Sequence, residues 1–389
     1  MPGLEADFTP EQIDRSRARK RETTPLRYAS MSLGLLVPLV LGFTPLGAGL
    51  VRAAGRVAGG GWIATAVLGA VALELVPFLL ALPLSARAEV VNRRWGLSTR
   101  SWRLFAADAA KGFAIGAVLF AGASFALYGL MRALPGTWWV WAAAGAAVLV
   151  LLLSFLLPVV VEPLFNRFTP LPEGPLRQRL MSLAEASGVP VRDILVSDAS
   201  RRTTATNAYV SGIGRTRRVV VWDTTVERAA EEEVAAVAAH ELGHAARRDV
   251  LYGTLAGAVG AAAVVCLIAA ALQWTPLLDA AGVDHAADPR SLALVVALGT
   301  VLGTVGGPLR LWVSRRVEAR ADGYALDLTR SPETMVAMQR RLAVTNLADL
   351  EPHRLTVVLF GSHPPTRARI AHARAWAAAH GLPEPPGLR

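Results

Sequence analysis

The stretch WWVWAAAGAAVLVLLLSFLLPVVVEPL, residues 138–164, decides the class of fold, because it contains only one charged side chain, that of Glu162. A helix needs about 20 apolar residues to cross the hydrocarbon core of a bilayer. Tryptophans at the start of such a stretch are typical of the membrane–water interface. The stretch therefore predicts a membrane-spanning helix, and it places the chain among mainly α-helical membrane proteins.

Five further stretches are long and apolar enough to span a membrane. Over the whole chain 53% of residues are apolar and only 18% are charged, whereas soluble domains carry about 25% charged residues. The six predicted spans are residues 28–51, 62–86, 110–131, 138–164, 251–274 and 291–313.

The distribution of arginine predicts the direction of these spans. The N-terminal residues 1–27 and the loop after the second span are rich in Arg and Lys, whereas the loop before the last span is acidic. Positive loops stay in the cytoplasm, so both termini and residues 165–250 are expected there. The predicted organisation is a basic cytoplasmic segment (1–27), a membrane domain of four spans (28–164), and a third domain (165–389) that includes the last two spans.

Two classes of protein are disfavoured by composition. The formal net charge of +10 suggests nucleic acid, but the arginines flank apolar runs and no RNA-binding signature or CxxC is present. We therefore expect no nucleic-acid partner. Cys266 is the single cysteine and lies inside an apolar run, so a disulfide framework is excluded.

Between the fourth and fifth spans the chain becomes polar and predicts a small unit of helices and strands. Residues 169–175 contain three prolines and predict a loop, and residues 176–187 have helical spacing. Residues 193–197, 207–210 and 218–222 are the candidate strands. A long helix is predicted for 231–250, running with little interruption into the fifth span.

This helix contains His240-Glu241-Leu242-Gly243-His244. Positions i and i+4 share one helix face, so His240 and His244 can present two imidazole nitrogens to one zinc ion. Glu241 lies beside them, where it can polarise the attacking water. The motif is short, and two histidines on a solvated helix face are the alternative interpretation.

A third ligand is available further along the chain. A catalytic zinc takes three protein ligands and keeps one position open. Glu318 and Asp322 are four residues apart, so Glu318 can be the third ligand and Asp322 can accept a hydrogen bond from a ligand histidine. The alternative is that both carboxylates pair with neighbouring arginines on a solvated face.

Taken together, these motifs resemble the type 1 integral-membrane CAAX prenyl protease family of zinc metallopeptidases (the gluzincin pattern HExxH…ExxxD). The resemblance covers most of the chain, and the high Ala and Arg content is similar to that of a bacterial member. Eukaryotic members usually have seven spans, whereas six are predicted here. The further matching elements are Glu162–Gly174, Asn207-Ala208-Tyr209, 218–224, Ser362-His363-Pro364-Pro365, 95–98 and 107–111.

The resemblance implies a gluzincin-type α+β peptidase domain and a role for each matching residue. His240, His244 and Glu318 would bind a single Zn²⁺, and Glu241 would be the catalytic base and acid. His363 would stabilise the oxyanion, and Arg367 would support His363 or a substrate carboxylate. Asn207, Ala208 and Tyr209 would form an edge strand that receives the substrate backbone.

The expected function is a zinc metalloendopeptidase in the bacterial cell membrane, with its site on the cytoplasmic side. Its partners would be the lipid bilayer and a peptide or protein substrate, with prenylation left open. Two alternatives remain: a quality-control protease for membrane proteins with no prenyl dependence, and a non-catalytic metal-binding scaffold. A transporter is disfavoured because the spans hold few charges beyond Glu74, Asp108, Lys111 and Glu162.

Overall fold

The computed structural model of the protein describes residues 4–212, 214 and 217–388. Its helices are α1 (Pro10–Gly42), α2 (Pro45–Arg56), α3 (Trp62–Arg94), α4 (Trp102–Ala133), α5 (Trp138–Leu156), α6 (Glu162–Phe165), α7 (Pro175–Ala186), α8 (Asp223–Arg228), α9 (Glu231–Ala246), α10 (Asp249–Ala271), α11 (Thr275–Ala280), α12 (Leu292–Thr329), α13 (Pro332–Thr345), α14 (Arg354–Phe360) and α15 (Thr366–Ala379). Its strands are β1 (Phe168–Pro170), β2 (Asp193–Ser197), β3 (Ala208–Ser211) and β4 (Arg218–Trp222).

Six helices of the described chain are long and apolar enough to cross a membrane, which confirms the predicted number. They are α1, α3, α4, the continuous segment Trp138–Phe165 that joins α5 to α6 through a π-helical stretch, α10, and the segment Pro289–Thr329 that contains α12. The last segment is longer than the predicted span, because the helix continues without a break beyond residue 313 to Thr329. The span and the segment that carries Glu318 and Asp322 are therefore one helix.

The first predicted span, residues 28–51, is wrong at its end. Helix α1 stops at Gly42, and α2 begins at Pro45 after an extended Thr44 with φ −133° and ψ 162°. Pro45 disfavours a helical conformation for Thr44, and the Thr44 side chain instead caps the start of α2. Helix α2 has 12 residues, too few to span a bilayer.

The first 27 residues are also more structured than a separate basic segment would be. Helix α1 begins at Pro10, where Thr9 and Gln12 form a capping box. Phe8 and Ile13 are buried in the same hydrophobic cluster as the sheet and α9. Asp7 accepts a hydrogen bond from Arg374 Nη2 at 2.6 Å. The N-terminus is therefore packed against the third predicted domain.

The four strands form one sheet in the order β1-β2-β4-β3. Strands β2 and β4 are parallel, and β1 and β3 pair antiparallel to them at the two edges. The predicted strands 193–197 and 218–222 coincide with β2 and β4, and β3 is shifted by one residue from 207–210. Strand β1 overlaps the start of the predicted loop 169–175. It is a partly exposed edge strand, a position that tolerates Pro170, so no strand pattern is recognisable there.

The long helix predicted for residues 231–250 is interrupted. Helix α9 ends at Ala246, Arg248 adopts a left-handed conformation with φ 57°, and α10 begins at Asp249. A left-handed residue ends a helix because it turns the backbone away from the axis. The direction of the chain therefore changes just after the His-Glu-x-x-His motif.

The third domain is attached to the membrane domain through the loop between α3 and α4. Ser98 forms an isolated β-bridge with Thr203. Arg202 donates two hydrogen bonds of 2.9 Å to the carboxylate of Asp108 on α4. Both side chains of this ion pair are largely buried. The segment that leads into β3 is thereby held against the cytoplasmic-loop region predicted from the sequence.

Candidate active site

Two packed helices bring together the predicted metal ligands. Helix α9 carries His240 and His244, and the long α12 carries Glu318. The two imidazole rings lie one helical turn apart, with centroids separated by 4.9 Å and planes at 88°. One ligand atom from each of the three side chains lies within 4.8 Å of the others. The spacing of residues on α9 and the crossing of α12 therefore produce a compact set of three donors.

This donor set fits a zinc ion. Two imidazole nitrogens and one carboxylate are ligands that zinc accepts in catalytic sites. Oε2 of Glu318 is buried and accepts no hydrogen bond from the described residues, although His240 Nε2 lies 3.2 Å away. A buried carboxylate oxygen with no hydrogen bond is costly, and binding to a cation would satisfy it.

Each of the two histidines is oriented by a carboxylate on its other ring nitrogen. Nδ1 of His240 lies 2.9 Å from Oδ1 of Asp322, the position that the sequence predicted for Asp322. Nδ1 of His244 lies 3.0 Å from Oδ2 of Asp249. Such contacts direct the Nε2 atoms of both rings toward Glu318 and raise the basicity of the ligands.

Asp249 was not predicted from the sequence, and the helix break explains its position. On a continuous helix, residues five apart point in directions about 140° apart, so Asp249 could not face His244. The left-handed Arg248 turns the chain between α9 and α10 and brings Asp249 back to the imidazole. The one available signal was an acidic residue at the first position of a new helix.

Arg369 is a second residue that the sequence interpretation missed. Its guanidinium binds both oxygens of Asp322, with distances of 2.8 Å from Nε and 2.5 Å from Nη2. Arg367, which was predicted to support His363 or a substrate carboxylate, lines a cavity together with Ile13, Arg17 and Glu351. Arg369 therefore lies next to the candidate metal site, and the substrate role of Arg367 stays a prediction.

Glu241 lies between the two ligands and the edge strand β3. Its carboxylate accepts a hydrogen bond from the backbone of Val210. Burial raises the pKa of Glu241 above its ordinary value, and the neighbouring His240 and His244 oppose that shift. A carboxylate with a raised pKa is a better proton acceptor near neutral pH.

Strand β3 contains most of the predicted Asn207-Ala208-Tyr209 element. It pairs with β4 on one side only, within the described part of the sheet. Ala208 is buried, and the backbone of Asn207 is held by hydrogen bonds to Thr225. The hydroxyl of Tyr209 donates to Glu162 Oε2 at 3.2 Å. The other edge of β3 can therefore accept an extended peptide.

His363 lies at the opening of the site. Its Nε2 is 3.3 Å from Glu318 Oε2, and its side chain is 56% exposed. Burial of the ring nevertheless lowers its pKa, with Glu318 opposing the shift, so the imidazole is neutral near pH 7. Its Nδ1 lies 2.8 Å from the Ser362 hydroxyl. A neutral imidazole in this position can donate one hydrogen bond to a substrate oxygen.

The charge of His240 depends on its neighbours. Burial lowers its pKa, but the neighbouring carboxylates of Asp322 and Glu318 outweigh burial and raise the pKa to about 9. A metal ion and a proton compete for this imidazole, since only the neutral ring is a ligand.

Comparisons with known proteins identify the family of this chain. A model of peptidase family M48 matches residues 170–377. A model of the CAAX prenyl protease N-terminal region, described as five membrane helices, matches residues 2–167. The described part of that region has four helical segments long and apolar enough to span a membrane, namely α1, α3, α4 and Trp138–Phe165, with the shorter α2 between the first two.

Relatives occur in bacteria and eukaryotes. The Bacillus subtilis protein YhfN, described as an uncharacterized metalloprotease, is 31% identical over 303 residues, which cover 77% of this chain and 71% of YhfN. A CAAX prenyl protease 1 homolog of Arabidopsis thaliana is 32% identical over 57% of this chain. The match covers about half of the Arabidopsis protein, 53% of its length.

The crystal structure of S. mikatae Ste24p has the same fold. It superposes with a TM-score of 0.82 and covers 96% of this chain and 91% of its own, at 23% sequence identity. The predicted mainly α membrane fold and the predicted resemblance to the CAAX prenyl proteases are confirmed.

Proposed function

We propose that this chain, which belongs to peptidase family M48 and is an integral-membrane metalloprotease, uses zinc held by His240, His244 and Glu318 to hydrolyse peptide bonds within a chain. The observation that carries the proposal is the set of three ligand atoms within 4.8 Å of one another, with Glu241 facing a free strand edge. When bound, zinc supplies Lewis acidity, which polarises a peptide carbonyl and lowers the pKa of water.

The remaining steps belong to the protein's own side chains. The free edge of β3 pairs with an extended substrate and places its scissile carbonyl above Glu241. Glu241 takes a proton from the attacking water and then passes it to the leaving amine. His363 donates a hydrogen bond to the negatively charged oxygen that develops on the carbonyl carbon. Asp322 and Asp249 keep the two histidines in place.

The proposed location is the cytoplasmic face of a bacterial cell membrane. The basic loops favour cytoplasmic termini. The site follows the same face because the segment before β3 is attached to the loop between α3 and α4 and to α4 itself. The Bacillus relative and the Ala- and Arg-rich composition support a bacterial source.

The substrate class is a narrower proposal. Seven relatives, among them the Arabidopsis protein, are named as CAAX prenyl protease 1, a homolog of it or a probable one, which supports cleavage near the C-terminus of a prenylated peptide. Val210 and Gly212 at the end of β3 line a cavity with Phe155 and Val159 of the membrane segment. An apolar wall beside the strand edge suits a substrate that carries a lipid.

The test compares two peptides by mass spectrometry, one ending in a farnesylated CAAX sequence and one unmodified and unstructured. Each is incubated with the purified protein and with Glu241→Gln, which should retain zinc but lose about 10²- to 10⁴-fold in turnover. Cleavage of the lipidated peptide alone supports a prenyl-dependent protease. Cleavage of both supports general membrane proteolysis. Cleavage that persists in Glu241→Gln, or no cleavage by either protein, contradicts the proposal.

A further inference from the structure

A basic cavity of about 360 Å³ lies where the membrane domain meets the third domain. Its wall includes the arginines Arg19 of α1, Arg100 of the loop between α3 and α4, and Arg202 of the segment before β3. None of the residues that line it is acidic. We call it the arginine cavity. Ala205, three residues before β3 begins, forms part of the same wall.

The arginines of this cavity exceed the carboxylates that neutralise them. Glu89 binds both Arg93 and Arg100, with distances of 2.9 and 2.5 Å. Asp108 binds Arg202. Arg19 instead donates to the carbonyl of Leu347, and within the described chain it makes no ion pair. Arg93 does not line the cavity but shares Glu89 with Arg100. The three lining arginines and Arg93 therefore face two carboxylates, which leaves two positive charges in excess.

Two guanidinium nitrogens in this cluster lack partners. Nε of Arg19 and Nη1 of Arg202 are buried and donate no hydrogen bond to any residue that the structure describes. Buried donors without acceptors are rare in folded proteins because each costs free energy. An anion in the cavity would offset the excess positive charge of the surrounding arginines.

We propose that the arginine cavity binds the free α-carboxylate of the peptide substrate; this inference rests on the proposed peptidase function and extends it. Strand β3 runs from Ala208 to Ser211, and its N-terminal end is the one that leads back to the cavity. Antiparallel pairing is the commoner and slightly more stable arrangement of strands. A substrate antiparallel to β3 has its C-terminus directed toward Ala205, where the positive charge lies.

The spacing limits the length of the substrate beyond the cleaved bond. Glu241 faces Val210, and Ala205 is five residues earlier. An extended chain rises about 3.3 Å per residue, so the cavity wall lies at most about 16 Å from the catalytic base along the strand. The C-terminal fragment released from a substrate that reaches the arginines therefore has at most about five residues.

The test uses the full-length zinc-loaded protein and matched peptides that end in a free carboxylate or in a carboxamide. Charge-assisted hydrogen bonds predict a preference for the carboxylate of about 10- to 100-fold in kcat/KM. Arg19→Gln should remove most of this preference, and Arg19→Lys should retain part of it. Arg15→Gln, an exposed position on the same helix, is the matched control and should leave the ratio unchanged.

A structural defect in Arg19→Gln would lower both rates together and leave the ratio intact, which overturns the proposal. The proposal also fails if the wild-type protein does not distinguish the two peptides, or if Arg19 affects activity only through anionic phospholipid in the surrounding bilayer. A series with two to ten residues after the cleaved bond should show its best substrate at five residues or fewer.

Failure of the proposed function is detected separately. Fluorescence anisotropy of labelled peptides on Glu241→Gln measures binding without turnover. If nothing is cleaved but the carboxylate peptide binds more tightly than the amide, the cavity proposal stands and the peptidase proposal fails. Equal affinities overturn the cavity proposal whether or not cleavage occurs.

Discussion

Replacement of Asp249 tests whether the helix break serves the metal site. Asp249 begins α10, and its Oδ2 lies 3.0 Å from Nδ1 of His244. Its other oxygen lies 3.4 Å from Arg320, which is 55% exposed and therefore contributes little. Asp249→Asn keeps a hydrogen-bond acceptor but removes the negative charge, whereas Asp249→Ala removes both. Asp249→Asn should therefore weaken zinc binding less than Asp249→Ala.

The magnitude follows from the role of such carboxylates. Loss of a group that orients a ligand histidine costs about 10- to 100-fold in metal affinity, which corresponds to about 1.4 to 2.7 kcal/mol. The side chain of Asp249 is 9% exposed, so solvent replaces it poorly. We expect about tenfold for Asp249→Asn and nearly 100-fold for Asp249→Ala, measured by titration with chelator-buffered zinc.

The control for helix stability is Glu333→Gln. Glu333 is an exposed acid in the first turn of α13, so its replacement removes the favourable interaction of a carboxylate with a helix N-terminus, about 0.3 to 1 kcal/mol. It should lower the Tm slightly and leave zinc affinity unchanged. Zinc binding by Asp249→Ala as tight as that of the wild type would refute the assigned role.

Three further predictions concern the same site. His363→Ala should lower kcat by about 10²- to 10³-fold with zinc content unchanged, as for loss of an oxyanion donor; a loss of zinc measured by elemental analysis would make His363 a ligand instead. Because the pKa of His240 is raised to about 9, zinc must displace a proton from this imidazole at neutral pH. The apparent affinity for zinc should therefore rise about tenfold per pH unit between pH 7 and pH 9 and level off above pH 9. An affinity that does not change between pH 7 and pH 9 would contradict this. Arg369→Gln leaves the buried carboxylate of Asp322 without its arginine. This should lower the free energy of unfolding by about 3 kcal/mol even at saturating zinc. An unchanged Tm would show that the pair is not needed for stability.

The elements that the sequence predicted well are those with a local pattern. The spacing of His240 and His244 on a helix is a local property, and so are long apolar runs and the valine-rich strand β4. The strand at 207–210 and Glu318 as a third ligand were also inferred from the residues, whereas the substrate role of Asn207-Ala208-Tyr209 came from the resemblance to a known family. Their geometry required the crossing of α9 and α12, which no local pattern specifies.

The residues that were missed act through non-local contacts or through a break in regular structure. Arg369 reaches Asp322 across 47 positions of the chain, and nothing in its neighbours distinguishes it from Arg367. Asp249 contributes only because Arg248 adopts a left-handed conformation, which a non-glycine residue rarely does. The end of α1 was recognisable in principle, since Thr44 and Pro45 form a standard helix start.

The continuity of α12 connects the membrane to the chemistry. The predicted span ends at residue 313, and Glu318 lies five residues later on the same helix. A helix rises about 1.5 Å per residue, so the ligand carboxylate lies about 7.5 Å along the axis from the end of the span. A change in the tilt of α12 within the bilayer would therefore move Glu318 relative to His240 and His244. The packing of the membrane helices and the geometry of the metal site cannot vary independently.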